Sequence, residues 1–206
     1  MENNEKLTAE RSLEVISEAI KASRREAGRS VGTLMTVWGT LALVTGCAVA
    51  WLWSATGDSR WNWLWAAAAL AAYINYRHIE KQERLRHTAD TFATKVIKWI
   101  WSTFFGVTAG AVIFSFDFVY DETAVAHLTI YPIIIFLLTL ASGTTAMITS
   151  NGAGCGSAIM AAYMAKAAAE EGGCAQAVCM AAACVFALLI PGLLMKYKTW
   201  MNKQQQ

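Results

Sequence analysis

Residues 1–30 are polar and charged, and Val31 to Trp53 then runs for 23 residues without a charge. The same alternation of polar stretch and apolar run repeats along the chain. An α-helix needs about 20 apolar residues to cross a bilayer core of about 30 Å. A backbone enters lipid only as a helix or a closed barrel. The pattern predicts spans at 31–53, 61–76, 97–116, 128–149, 153–169 and 175–195, then a tail at 196–206. The second run is short, and Trp61, Trp63, Trp65, Tyr73 and Tyr76 stand at its ends, where headgroups favour such side chains. The fifth run is the weakest, being rich in Gly and Ala with Lys166 near one end. A four-span alternative lays residues 150–170 on the membrane surface. The expected fold class is all-α: a polytopic transmembrane helical bundle of about six spans behind a short N-terminal helix.

Inside the polar start, residues 8–27 read as an amphipathic helix. Thr8 stands where an N-cap is wanted. Ala9, Leu13, Ile16, Ile20 and Ala27 recur on one face. Glu10, Glu14 and Glu18 precede Lys21, Arg24, Arg25 and Arg29, an order that complements the helix dipole and sets the bases beside headgroups. Two uses fit this helix. It can lie along the membrane ahead of the first span, or it can lay Leu13, Ile16 and Ile20 into a groove on a cytoplasmic partner. Residues 77–96 contain neither Gly nor Pro and should extend the second span as a helix before the chain turns back.

Composition narrows the class. Hydrophobic residues make up 56% of the 206 and charged residues only 16%, against about 25% charged in soluble domains. A disordered chain, a collagen-like fibre, a coiled coil and a disulfide-stapled secreted domain are excluded. Of the 17 Lys and Arg, fifteen fall in 1–30, in 77–98 and after Met195. With six spans those segments share one side, which the positive-inside rule makes cytoplasmic. The expectation is a multi-pass protein of the bacterial inner (plasma) membrane with both termini cytoplasmic. The first apolar run follows 30 polar residues and reads as an uncleaved anchor, and lipidation motifs are missing.

The spans carry packing signals rather than catalytic ones. Gly32, Gly39 and Gly46 recur every seven residues, with Thr36 and Ala50 on the same face. Gly106 and Gly110 form a G-x-x-x-G. Small residues so placed let another helix approach closely, within the chain or in a homo-oligomer. Pro191-Gly192 should kink or end the last span. No acid, base or histidine falls at mid-depth, which weighs against proton-coupled transport. Lys166 precedes Glu170 by four residues and can pair with it.

Other polar residues give weak signals. Asn151-Gly-Ala-Gly-Cys-Gly156 lacks the Lys-Ser/Thr of a phosphate loop and reads as a tight connection or a broken helix start. Were it a broken helix, Gly154, Gly156 and Lys166 would be the cavity candidates. Asp58, Asp117, Asp121, Glu122, His127, Glu170 and Glu171 read as a solvated acidic rim, and His78 and His87 as solvated side chains. Cys47, Cys155, Cys174, Cys179 and Cys184 show no C-x-x-C and read as small apolar filler. Cys174 near the outer face is the one candidate for a disulfide, with no evident second cysteine. We therefore expect no catalytic residue, no metal, no cofactor and no direct nucleic-acid contact.

Ser12-Leu-Glu-Val-Ile16, with Ile20-Lys21, then Val37-Trp38-Gly39-Thr40 and Ile190-Pro-Gly-Leu-Leu194, give the chain a further likeness. It resembles an uncharacterised family of bacterial, Bacteroides-type multi-span inner-membrane proteins, whose members lie beside genes for small winged-helix regulators. The resemblance implies an inner-membrane location and transfers no chemistry. The leading expectation is a non-enzymatic sensor or adaptor that touches lipid and a cytoplasmic protein, for example a transcriptional regulator. The rival is a small transporter or channel, with its cavity near 151–156.

Overall fold

The computed structural model describes residues 2–85, 91–119 and 130–204. Every regular element among them is a helix. α1 runs Glu2–Thr56, and a short 3-10 turn at Ser59–Trp63 leads into α2, Leu64–Leu85. α3 is Phe92–Val119, α4 is Ile130–Ile148 and α5 is Gly152–Glu170. α6, Cys174–Cys184, passes through a π turn at Val185–Leu189 into α7, Ile190–Gln204. His87, Asp121, Glu122 and His127 lie outside the described residues, as does the side chain of Asp117.

Four stretches among the described residues are long and apolar enough to cross a membrane: 11–56, 92–113, 130–148 and 174–198. The pattern predicted about six. α2 falls short because its apolar run stops at Tyr76, where Arg77 and His78 follow. α5 falls short because three glycines, Ser157 and Lys166 dilute its alanines.

The N-terminal region differs from expectation. No boundary separates a helix at 8–27 from a span at 31–53. α1 starts at Glu2 and passes through Thr8 and Gly28 unbroken, so no helix begins at Thr8. A single glycine inside a helix costs about 1 kcal/mol. Ala27, Val31 and Met35 are buried in the core around Gly28, and such packing sets helical stability more than propensity does.

α1 packs along α6, the π turn and α7. A Cβ added at Gly32, Gly39 or Gly46 would sit 2.9 Å from Met195 Cβ, 2.9 Å from Leu188 Cβ or 2.8 Å from Ala181 Cβ. The partners step backward by seven as the glycines step forward by seven, so the pair is antiparallel and in constant register. From the other side, Gly192 closes on Thr36, whose hydroxyl donates to Gly32 O (2.7 Å). Pro191 neither ends nor breaks the helix. Ile190 N–H reaches back to Val185 O, which makes the π turn. Proline has no N–H to offer the carbonyl four residues earlier, here Ala187. The fully buried Ser142 hydroxyl of α4 donates to that carbonyl instead.

α5 folds back along α4 and also packs on α6. Its buried positions are Gly154, Ser157, Ala158, Ala161, Ala165 and Ala168, a stripe of small side chains at helical spacing. Between α4 and α5, Ser150 takes φ 53°. Ser150 N–H bonds Met147 O (3.1 Å) and Asn151 N–H bonds Ala146 O (2.8 Å), the two bonds of a Schellman ending.

Hydrogen bonds mark the two ends of the packed helices. At one end Arg24 Nη1 donates to Ser150 Oγ (3.0 Å) and Lys198 Nζ to Ser150 O (3.3 Å). At the other, Tyr131 Oη donates to Asn62 Oδ1 (2.6 Å) and receives Trp65 Nε1–H (3.2 Å). That second end also holds Gln176, whose buried amide caps α5 by donating to Ala168 O (3.1 Å) and Glu171 O (2.9 Å).

Candidate functional site: a projecting helix and an apolar cleft

Two features of α1 remain after its packing is accounted for. The first is its N-terminal arm. The register with α7 sets Gln204, the last residue of α7, level with Ser23. Residues before Ser23 therefore extend past the packed helices. Leu13, Ile16 and Ile20 are 67%, 55% and 49% exposed there, with Val15 beside them. The stripe is a continuation of the face that buries Ala27 and Val31 farther along. It lies bare because the neighbouring helix has ended.

The second feature is a cleft of about 480 Å³ between α1, α2 and α3. α2 and α3 both rest on α1 and leave a gap between them. Val31, Leu34, Met35 and Trp38 of α1 line it. From α2 come Ala69, Ala72, Tyr73 and Tyr76, one helical face on which two alanines leave room and two tyrosines close the rim. From α3 come Ile97, Lys98, Trp101, Ser102 and Phe105, with Thr94 at one limit and Ala109 at the other. The volume lies within the range of about 300–1,000 Å³ usual for small-molecule sites.

An aromatic cluster forms the inner wall. Trp38 stands edge-on to Trp101 (6.0 Å, 82°) and Phe105 (5.2 Å, 76°) and tilted to Tyr76 (6.3 Å). Edge-to-face pairs are worth about 0.5–1.5 kcal/mol each beyond their buried area. The Trp38 indole N–H is buried with no oxygen or nitrogen acceptor. The surrounding ring faces are its available acceptors. Among the described residues that line it, Lys98 is the one charged side chain, and there is no carboxylate, histidine or cysteine. The signal for this cleft was there in the α2 spacing of Ala69, Ala72, Tyr73 and Tyr76 against the Trp38-bearing run, but it required knowing which helices are neighbours.

The other flagged residues take separate places. Gly106 and Gly110 have nothing within 4 Å of a would-be Cβ, so α3 presents them outward among the described residues. Gly154, Gly156 and Lys166 are not gathered round a cavity. Gly154 is filled by Ala146 and Asn151 side chains, Gly156 is exposed, and exposed Lys166 pairs with Glu170 at 3.6 Å. The 149–151 segment is a tight turn with Asn151 Oδ1 capping Gly154 N–H (3.3 Å). The five cysteines are free. Among the described residues no three His, Cys, Asp or Glu side chains cluster as metal ligands.

Comparisons with protein-family models, with curated proteins and with solved structures gave no match.

Proposed function

We propose that this chain is a non-enzymatic, six-span adaptor or sensor of the bacterial inner membrane, with both termini in the cytoplasm and the α1 arm holding a cytoplasmic protein. One observation carries the reading. A single uninterrupted helix is packed on one half and bares an apolar stripe on the other. The arm is long enough to work at a distance, since residues 2–22 cover about 30 Å at 1.5 Å per residue. A transcriptional regulator is one partner of suitable kind, as the family resemblance suggests. Among the described residues that line the cleft there is no carboxylate, histidine or cysteine, which favours binding over catalysis.

The six-span count draws support from packing, which answers a different question from hydropathy. α5 is apolar enough on the face that meets α4 and α6, and its polar positions pair or face outward. Lys166, near the end of α5, can snorkel. Arg24, Ser150 and Lys198 meet at one end and Asn62 and Tyr131 at the other, as alternating helices require. The lysines and arginines gather at the first end, which makes it cytoplasmic.

Two measurements test the proposal. Single cysteines at Ser59 and Gly172, in a cysteine-free background, should react with an impermeant maleimide on intact cells, and one at Ser150 only after permeabilisation. Protection of Gly172 from the outside reagent would mean that α5 does not cross. The Leu13→Ala, Ile16→Ala, Ile20→Ala triple variant should insert and melt as the parent does, because those side chains are exposed. It should lose cytoplasmic partners in crosslinking by tenfold or more, since a few apolar anchors dominate such interfaces. An unchanged set of crosslinked partners counts against the docking role.

A further inference from the structure

We propose that the cleft between α1, α2 and α3 holds one acyl chain of an anionic phospholipid, with the lipid phosphate facing Lys98. The proposal rests on reading the chain as membrane-spanning, and not on the partner role of the α1 arm.

Position comes first. Ser30, Tyr76, Thr94 and Lys98 form the rim nearest the Arg24–Ser150–Lys198 end, and the cleft runs inward from there along all three helices. From Thr94 to Ala109 is about 22 Å along α3, enough to follow a lipid tail through one leaflet of a core about 30 Å thick. The gap opens sideways between α2 and α3, towards lipid. A tail can therefore enter from the bilayer without passing through water.

Chemistry separates one lipid class from the rest. The walls are apolar and aromatic, which suits a hydrocarbon chain and would leave a soluble polar ligand without partners. Lys98 lines the rim, and exposed Arg29, Arg77 and Lys95 stand next in sequence to the rim residues Ser30, Tyr76 and Thr94. Among the described residues no acidic side chain lines the cleft. Basic pockets between helices on the cytoplasmic side favour anionic headgroups. A zwitterionic lipid would fill the same apolar space but gain less from that rim.

The experiment is a lipid titration of the purified, delipidated full chain by native mass spectrometry. The probes are phosphatidylglycerol and phosphatidylcholine with identical acyl chains. Wild type should bind one phosphatidylglycerol at least five-fold tighter than phosphatidylcholine. Lys98→Gln should lose about five-fold for phosphatidylglycerol and nothing for phosphatidylcholine, the size expected for one lysine near a headgroup. Ala72→Trp, which fills the cleft, should lose both lipids. Helix content and melting are recorded for each variant, so that Lys98→Gln decides the matter if Ala72→Trp does not fold. The triple variant of the α1 arm should bind lipid as wild type does, which keeps failure of the adaptor reading apart from failure here. Equal affinity for the two headgroups in wild type, or unchanged binding by a folded Ala72→Trp protein, overturns the proposal and leaves only non-specific annular lipid.

Discussion

Alanine at Gly192 will destabilise the folded protein by about 1–3 kcal/mol, the usual cost of overpacking, while alanine at Gly106 will leave it unchanged or firmer by up to about 1 kcal/mol. Local propensity has the same sign at both sites, since alanine is the better helix former. Packing separates them. A Cβ at Gly192 would lie 2.8 Å from the Thr36 backbone nitrogen and 3.0 Å from Gly32 O, so α7 would have to back away from α1. Neither obstacle is a flexible side-chain end. At Gly106 the same Cβ meets nothing within 4 Å. Unfolding in mixed micelles of each variant gives the comparison. A Gly192→Ala protein as stable as its parent would mean that α1 and α7 do not touch here. Loss of stability or of oligomer in Gly106→Ala would mean that a second copy covers the outward face of α3, the homo-oligomer for which the G-x-x-x-G spacing is suited.

The second large effect is a coupling. Ser142→Ala removes the donor to Ala187 O in the core and is expected to cost about 1–2 kcal/mol, because a buried acceptor is left unserved. Interhelical hydrogen bonds in membrane proteins seldom exceed that. The carbonyl needs Ser142 only because Pro191 cannot supply an N–H. With Pro191→Ala the helix regains that N–H, and the π turn loses its cause. Ser142→Ala made in the Pro191→Ala background should then cost less than about 0.5 kcal/mol. A double-mutant cycle reads the difference directly. Additive costs would show that the serine hydroxyl and the proline act independently.

Much of the helical framework was legible because lipid is a strict solvent. Apolar runs as long as 31–53 and 130–148 read as helices, since lipid admits only a helix or a closed barrel and a barrel strand needs only about 9–11 residues. Their ends were harder to read. At Gly28 local signals favoured a boundary, and burial of Ala27 and Val31 decided for continuity. At Pro191 they favoured a kink or a stop, and a π turn with a serine from another helix let the chain pass. The small residues that lower the mean hydropathy of α5 also allow it to nest against α4.

Of the residues singled out from sequence, the heptad glycines of α1 lie in a close helix contact and those of α3 do not. Both sets have the right spacing. Spacing says only that a helix has a smooth face, and the fold decides whether a neighbour uses it. The cleft was illegible for the same reason. It is made of residues from three helices far apart in sequence, and each set alone reads as an ordinary apolar face.

What the sequence by itself determined is the solvent of each segment: which stretches leave water, where the basic residues gather, and that the backbone in lipid must be helical. Those follow from transfer free energies, which act residue by residue. The tertiary structure alone decided which small-residue face is filled, which carbonyl needs a borrowed donor and where space is left over. Those depend on the distance between helices, and that distance is set by the side chains of both partners at once.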